Sequence, residues 1–257
     1  MKDSTIEILS LLAYGLNLLS IPTLHNWNRS YDGWLNSHGF SRRLRHLESR
    51  QLVTRERKSG AWVYQLTQAG RKLVDRGRNP KMLWQRKWDG WWRQLVFDLP
   101  INQQSARISL LRWLRRNGFG YLQDSVWISP DPVKEIARAV KTFRDDAESF
   151  TILECRCAPG FSNGSLVRAA WPFAQINKSY QAYQQFIATT LKRLQTGKLH
   201  PRDLFTILRT ENKHWTEAFD RDPLLPSKLW PHDYAGHQAW EARQHFFGLA
   251  AYQVSTE

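Results

Sequence analysis

The chain has 257 residues, 42% of them hydrophobic, a formal net charge of +14 and a sequence pI of about 10.1. Its length suits two or three domains with ordinary cores, and its basic balance predicts attraction to nucleic acid or another anionic surface. A membrane span is excluded, because the most apolar N-terminal run, residues 6–19, contains Glu7, Gly15 and Asn17.

The excess charge is uneven: residues 1–80 hold 13 Lys and Arg against 6 Asp and Glu. Cys155 and Cys157 are the two cysteines, and C-x-C supplies too few ligands for a metal site. They are expected to stay reduced, with no signal peptide, in a cytoplasmic protein.

In chain order, residues 1–18 predict an amphipathic helix with Ile6, Leu9, Leu12, Ala13 and Leu16 on one stripe. Residues 20–38 should hold one or two short helices. Residues 39–66 then read GFSRRLRHLESRQLVTRERKSGAWVYQL. Gly39, Phe40 and Ser41 predict a turn with Ser41 as N-cap. Leu44, Leu47 and Leu52 follow at near-helical spacing, while Arg42, Arg43, Arg45, His46 and Arg50 occupy the other side. From Leu52 the period changes. Trp62, Tyr64 and Leu66 alternate with Ala61, Val63 and Gln65 as a strand should, and Lys58, Ser59 and Gly60 predict a hairpin tip.

A helix followed by a basic-tipped hairpin is the order of a winged helix-turn-helix, whose second helix enters the major groove. Ser41, Arg42, Arg43, Arg45, His46 and Arg50 are therefore the candidates to face base edges or phosphates on double-stranded DNA. Arg55, Arg57 and Lys58 on the wing are the candidates for flanking phosphates. A merely solvated helix face is the ordinary reading of such arginines; the hairpin behind them and the local charge favour the DNA-binding one. Thr67 should cap a further helix that stops at Gly77.

Arg78, Asn79 and Pro80 mark the first expected boundary. A Trp-rich link follows, in which Trp84, Trp88, Trp91 and Trp92 are expected to lock the linker between the first and second domains. Residues 94–99, 119–122, 126–129 and 150–155 then read as strands, and residues 105–117 and 132–144 as helices, with Ile108, Leu111 and Leu114 inward. That βαββαβ order predicts a ferredoxin-like sandwich. After residue 159, Trp171, Ile176, Tyr180, Tyr183 and Ile187 recur at helical spacing, as do Leu204, Ile207, Leu208 and Trp215. A rigid loop at residues 222–226 and a last helix over 234–252 close the chain. The expected class is α+β: an N-terminal winged helix at 1–79, a central ferredoxin-like domain at 80–158, and a mainly α-helical C-terminal domain at 159–257.

The central motif is more specific. WDGWWRQLVFDLP, then LRWLRRNGFGYLQDSVWISP, resembles the central domain of the PaaX family of bacterial transcriptional regulators. Trp88, Asp89, Gly90, Trp92, Asp98, Pro100, Gly118, Phe119, Gly120, Gln123, Val126, Trp127, Ser129 and Pro130 carry the resemblance. The stretch AFDRDPLLPSKLWP is similar to the family's R-D-P-x-L-P loop. Ile101 stands where the family often has an acidic residue, and SRRLRHLESR is more basic than the usual recognition helix. The resemblance implies a dimeric repressor released from DNA by an aryl-acyl-CoA, with no catalytic residue and no bound metal. Arg93, Arg168 and Lys178, with Trp171 and Tyr180, are the candidates to hold such an effector's phosphates and ring.

The competing class is a Mg²⁺-dependent nuclease. Small CRISPR-associated ferredoxin-like nucleases carry an Asp where Asp98 ends the first central strand, and two such carboxylates across a dimer could hold the ion. No further acidic cluster lies nearby in sequence. His237, Glu241 and His245 share a helix face over too long an axis for one ion. P-loop, dinucleotide-binding, nucleophile-elbow and zinc-protease motifs are all missing from the sequence.

Overall fold

The computed structural model describes residues 9, 40–58, 61–74, 78–98, 104–134, 136, 149–197 and 199–255. The helices expected over 1–18 and 20–38, the hairpin tip at Ser59 and Gly60, the stop at Gly77 and most of the helix over 132–144 lie outside them. The described elements are helical and antiparallel-β, grouped into two compact units. One unit comprises residues 1–79, 180–218 and 236–257; the other comprises 80–179 and 219–235.

In the first unit, helix α1 (Phe40–Ser49) leads into strand β1 (Val53–Lys58), strand β2 (Ala61–Leu66) and helix α2 (Gln68–Val74). Phe40 and Ser41 are already helical, so Ser41 lies within α1 and is not its N-cap. Its C-terminus closes by two crossed bonds, Leu52 N to Leu47 O at 3.0 Å and Gln51 N to Glu48 O at 2.8 Å, with Gln51 at φ 55. This left-handed stop satisfies carbonyls that the helix leaves open. It also explains why Leu52, beyond the helix, is buried with Leu44 and Leu47. β1 pairs antiparallel with β2 from Val53↔Leu66 to Lys58↔Ala61. Val53, Tyr64 and Leu66 are buried while Thr54 and Gln65, on the other face, are exposed, the alternation of a half-covered ribbon. Thr67 caps α2 as expected: its Oγ1 accepts from Gly70 N at 3.0 Å and donates to Gln51 O at 2.7 Å. Gly70 is needed there, since a Cβ would lie 2.1 Å from Leu52 O.

The same unit holds most of three long helices, α6 (Phe173–Gln195), α7 (Pro201–Phe219) and α8 (Gly236–Ser255). Tyr180, Tyr183, Ile187, Leu204, Ile207, Leu208 and Trp215, expected inward, are all buried. So is an ion pair: Arg243 Nε lies 2.7 Å from Glu211 Oε1, which also accepts from Tyr183 Oη at 2.7 Å.

The second unit runs from α3 (Pro80–Gln85) through β3 (Trp92–Asp98), α4 (Gln104–Arg116), β4 (Gly120–Gln123), β5 (Val126–Ser129) and β6 (Ser149–Cys155) to α5 (Asn163–Ala170) and the start of α6. The four strands form one antiparallel sheet in the order β4-β5-β3-β6. Leu95, Phe97 and Trp127 from the sheet pack with Leu110 and Leu114 of α4, Phe119 and Ile136. The expected inward face of α4 is therefore rotated. Leu110 replaces Ile108, which is 48% exposed, because the spacing Leu110, Leu114 meets the sheet and Ile108 lies on the far side of the helix. α4 stops at Gly118, whose φ of 78 suits glycine.

The Trp-rich link packs within this unit. Trp84 meets Trp230 and Tyr234 edge-on, Trp92 packs between Trp88 and Trp171, and Arg156 lies 4.0 Å over the Trp91 ring. These tryptophans thus tie residues 84–92 to segments far along the chain. Of the two cysteines, Cys155 ends β6 and Cys157 lies beyond it. Both are free thiols, and burial raises the Cys155 pKa. No helix among the described residues is long and apolar enough to cross a membrane.

Candidate nucleic-acid interface

α1 divides cleanly. Leu44 and Leu47 are 1% and 0% exposed, whereas Arg42, Arg45, His46 and Arg50 stand in solvent. Helical spacing does this, since the leucines are three apart and the basic residues fall between and beyond them. Ser41 and Arg43 lie on the same helix and Lys58 ends β1. Arg55 and Arg57 are exposed on β1, on the same strand face as buried Val53, Tyr64 and Leu66 but further along the strand from Val53. Arg55 Nε also lies 3.0 Å from Glu48 Oε1, which braces the hairpin against α1. The paired strands and the helix therefore present guanidinium groups from two elements, held by one small leucine and tyrosine core.

The effector candidates are not placed alike. Arg93 is buried, and its guanidinium is already engaged. It donates to both oxygens of Asp89 at 2.9 and 2.6 Å, to Glu154 Oε1 at 3.0 Å and to Trp91 O at 3.2 Å. Arg93 hydrogen bonding is the main cause that holds the Asp89 carboxyl below the usual range, and Asp89 is the main cause that raises Arg93. This is the start of β3 being fastened to its preceding turn and to β6, a structural task. Trp171 is buried too, donating Nε1 to Gly118 O at 3.1 Å. Arg168 and Lys178 are exposed. These four belong to the second unit; buried Tyr180, packed on Trp215, belongs to the first. Asp98 is exposed at the end of β3, and among the described residues no group of three or more His, Cys, Asp or Glu could hold a metal ion. His237 and Glu241 form an ordinary helix-surface pair at 3.6 Å.

The loop read as rigid, residues 222–226, is buried and organised by Asp222. One carboxylate oxygen accepts from Leu224 N at 2.8 Å and the other from Tyr234 Oη. Leu224 takes φ 51, and its carbonyl accepts from Arg86, which also donates Nε to Asp131 at 2.7 Å. Sequence reasoning did not find Arg86 or Asp131, since nothing local marks a pair 45 residues apart.

A chain with a basic helix–hairpin and an antiparallel sheet of this order fits the regulator class that the central motif resembles. Family comparison bears this out. Residues 85–167 match the PaaX protein central Cas2-like domain and residues 171–252 the PaaX-like protein C-terminal domain. The chain belongs to the PaaX family of transcriptional regulators. It is similar to the transcriptional repressor PaaX of Escherichia coli (strain K12), with 25% identity over 182 residues. That match covers 68% of this chain and spans 57% of the relative's length. In fold it resembles the uncharacterized protein Rv0674 from Mycobacterium tuberculosis, with a TM-score of 0.53 at 18% identity over 84% of this chain and 82% of that one.

Proposed function

We propose that this chain is a sequence-specific DNA-binding repressor that works as a homodimer and is released by a small effector. The observation that carries the reading is the amphipathic α1, leucines inward and arginines outward, braced by a hairpin with exposed arginines. In this reading residues 1–79 form a winged helix-turn-helix, residues 80–158 a ferredoxin-like domain that dimerises, and residues 159–257 a helical domain that completes the dimer or the effector site. Ser41, Arg42, Arg43, Arg45, His46 and Arg50 face the major groove, where a guanidinium can bond two acceptors of guanine. Arg55, Arg57 and Lys58 meet phosphates, which position the protein without specifying sequence. The dimer occludes a promoter, and an effector that prefers the non-binding arrangement shifts the population off DNA. An aryl-acyl-CoA is the effector class the family resemblance implies. Arg93 belongs to the fold's own ion pairs in this scheme, which leaves Arg168 and Lys178 as the exposed cations of the original set.

Gel-shift titration of the full chain against duplex from upstream of its own gene tests the reading. If the dimer neutralises six to ten phosphates, affinity should fall roughly 10³–10⁵-fold between 50 and 200 mM salt. Arg57→Ala should weaken binding to all sequences and reduce the salt slope by about one, whereas Arg42→Ala or Arg45→Ala should also blunt discrimination between sites. Indifference to duplex at low salt would refute it.

A further inference from the structure

α4 carries an arrangement that its packing does not require. Ile108, Leu111, Arg112, Arg115 and Arg116, with Asp220 from residues just after α7, line a cleft of about 290 Å³ in the second unit. Three guanidinium groups face one carboxylate there. Arg112 and Arg116 are four residues apart and Arg112 and Arg115 three, so they are neighbours on the helix surface and repel one another. Arginines in the last turns of a helix do complement its dipole. That explains neither the concavity nor an isoleucine left 48% exposed beside them. Arg115 lies 5.7 Å over the ring of buried Trp127, which orients its fork before any ligand arrives.

We propose that this cleft binds a small organic phosphate, its phosphate or diphosphate held by Arg112 and Arg116 and its apolar part laid on Ile108 and Leu111. Arginine's planar fork matches phosphate oxygens two at a time. The volume is at the small end of ligand pockets and exceeds what one bare phosphate fills. A duplex backbone presents a convex row of phosphates with no apolar group for Ile108, so the concave, partly apolar lining favours a small ligand. The regulatory consequence, displacement from DNA, rests on the function proposed above; the binding itself does not.

Calorimetric titration of the full chain with phenyl phosphate, inorganic phosphate and benzyl alcohol reads the proposal. Phenyl phosphate should bind more tightly than inorganic phosphate, with benzyl alcohol silent. The double variant Arg112→Gln with Arg116→Gln should weaken phenyl phosphate at least about tenfold, the loss of a charge-assisted hydrogen bond or more. Ile108→Gln should weaken phenyl phosphate severalfold without changing inorganic phosphate, and Arg202→Gln on α7 should change neither. Circular dichroism checks that these exposed substitutions leave the fold intact. No heat with phenyl phosphate, or heat that survives the double variant, overturns the proposal. So does a double variant whose DNA affinity drops with a shallower salt dependence, because those arginines would then lie on the DNA backbone. A chain that bound phenyl phosphate but no duplex would support the cleft while refuting the repressor.

Discussion

Two buried arginines in this protein make the same kind of contact and should respond unequally to removal. Arg243 on α8 is 4% exposed and pairs with Glu211 on α7, which is 0% exposed. Its guanidinium also lies 4.6 Å over Trp215 and 5.2 Å over Phe247. In Arg243→Met, Glu211 keeps Tyr183 Oη as a donor but loses its counter-charge in a place water does not reach. Breaking a buried pair on one side costs about 3–5 kcal/mol. Arg93 is equally buried, but its partners are not: the side chains of Asp89 and Glu154 are 46% and 50% exposed. In Arg93→Met both carboxylates turn to solvent, so the loss is about 1–2 kcal/mol, the worth of charge-assisted bonds without a stranded charge. Urea unfolding followed by far-ultraviolet circular dichroism compares the two. Replacing both members of the buried pair, Arg243→Met with Glu211→Leu, should recover most of the loss, because a dry hydrophobic contact replaces a charge that no longer has a partner. Equal costs for the two single variants, or a double variant no better than Arg243→Met, would refute the reasoning.

Gly70→Ala reverses a familiar sign. Alanine inside a helix ordinarily adds roughly 0.5–1 kcal/mol over glycine, but here its Cβ meets Leu52 O at 2.1 Å and Leu66 Cδ2 at 2.8 Å. Because the first obstacle is backbone, the variant should be less stable by about 1–3 kcal/mol in urea unfolding; a more stable variant would contradict that packing. Asp89 sets a pH dependence. Its folded pKa is depressed, chiefly by the hydrogen bonds from Arg93, so its contribution is full above the ordinary carboxylate value of roughly 4 and is lost as pH falls through the folded value. The stability advantage of the natural chain over Asp89→Asn should be flat near neutrality and close at low pH. A gap that persists unchanged into acid would show that the carboxylate's charge is not what fastens β3.

The hairpin, its capped exit helix, the strands of the sheet and the buried faces of the long helices were all legible along the chain. Each depends on neighbours within a turn or a strand: leucines three apart, alternating residues in β2, Thr67 ahead of Gly70, proline and glycine at stops. Which residues of α4 face inward was not legible, because its apolar residues span too wide an arc and only the sheet decides which of them it meets. Ile108 was left outside for that reason, and the cleft it lines could not be read from periodicity. The role of Arg93 was equally hidden. A basic residue before an apolar strand reads as a candidate for an anion, and only the register of β3 on β6, setting Arg93 opposite Glu154, consumes that charge. Local spacing determines which elements form and which family motif they carry. The fate of each charge, paired inside or left for a ligand, was decided by contacts between residues tens of positions apart, because burial and partner distance are properties of the folded packing alone.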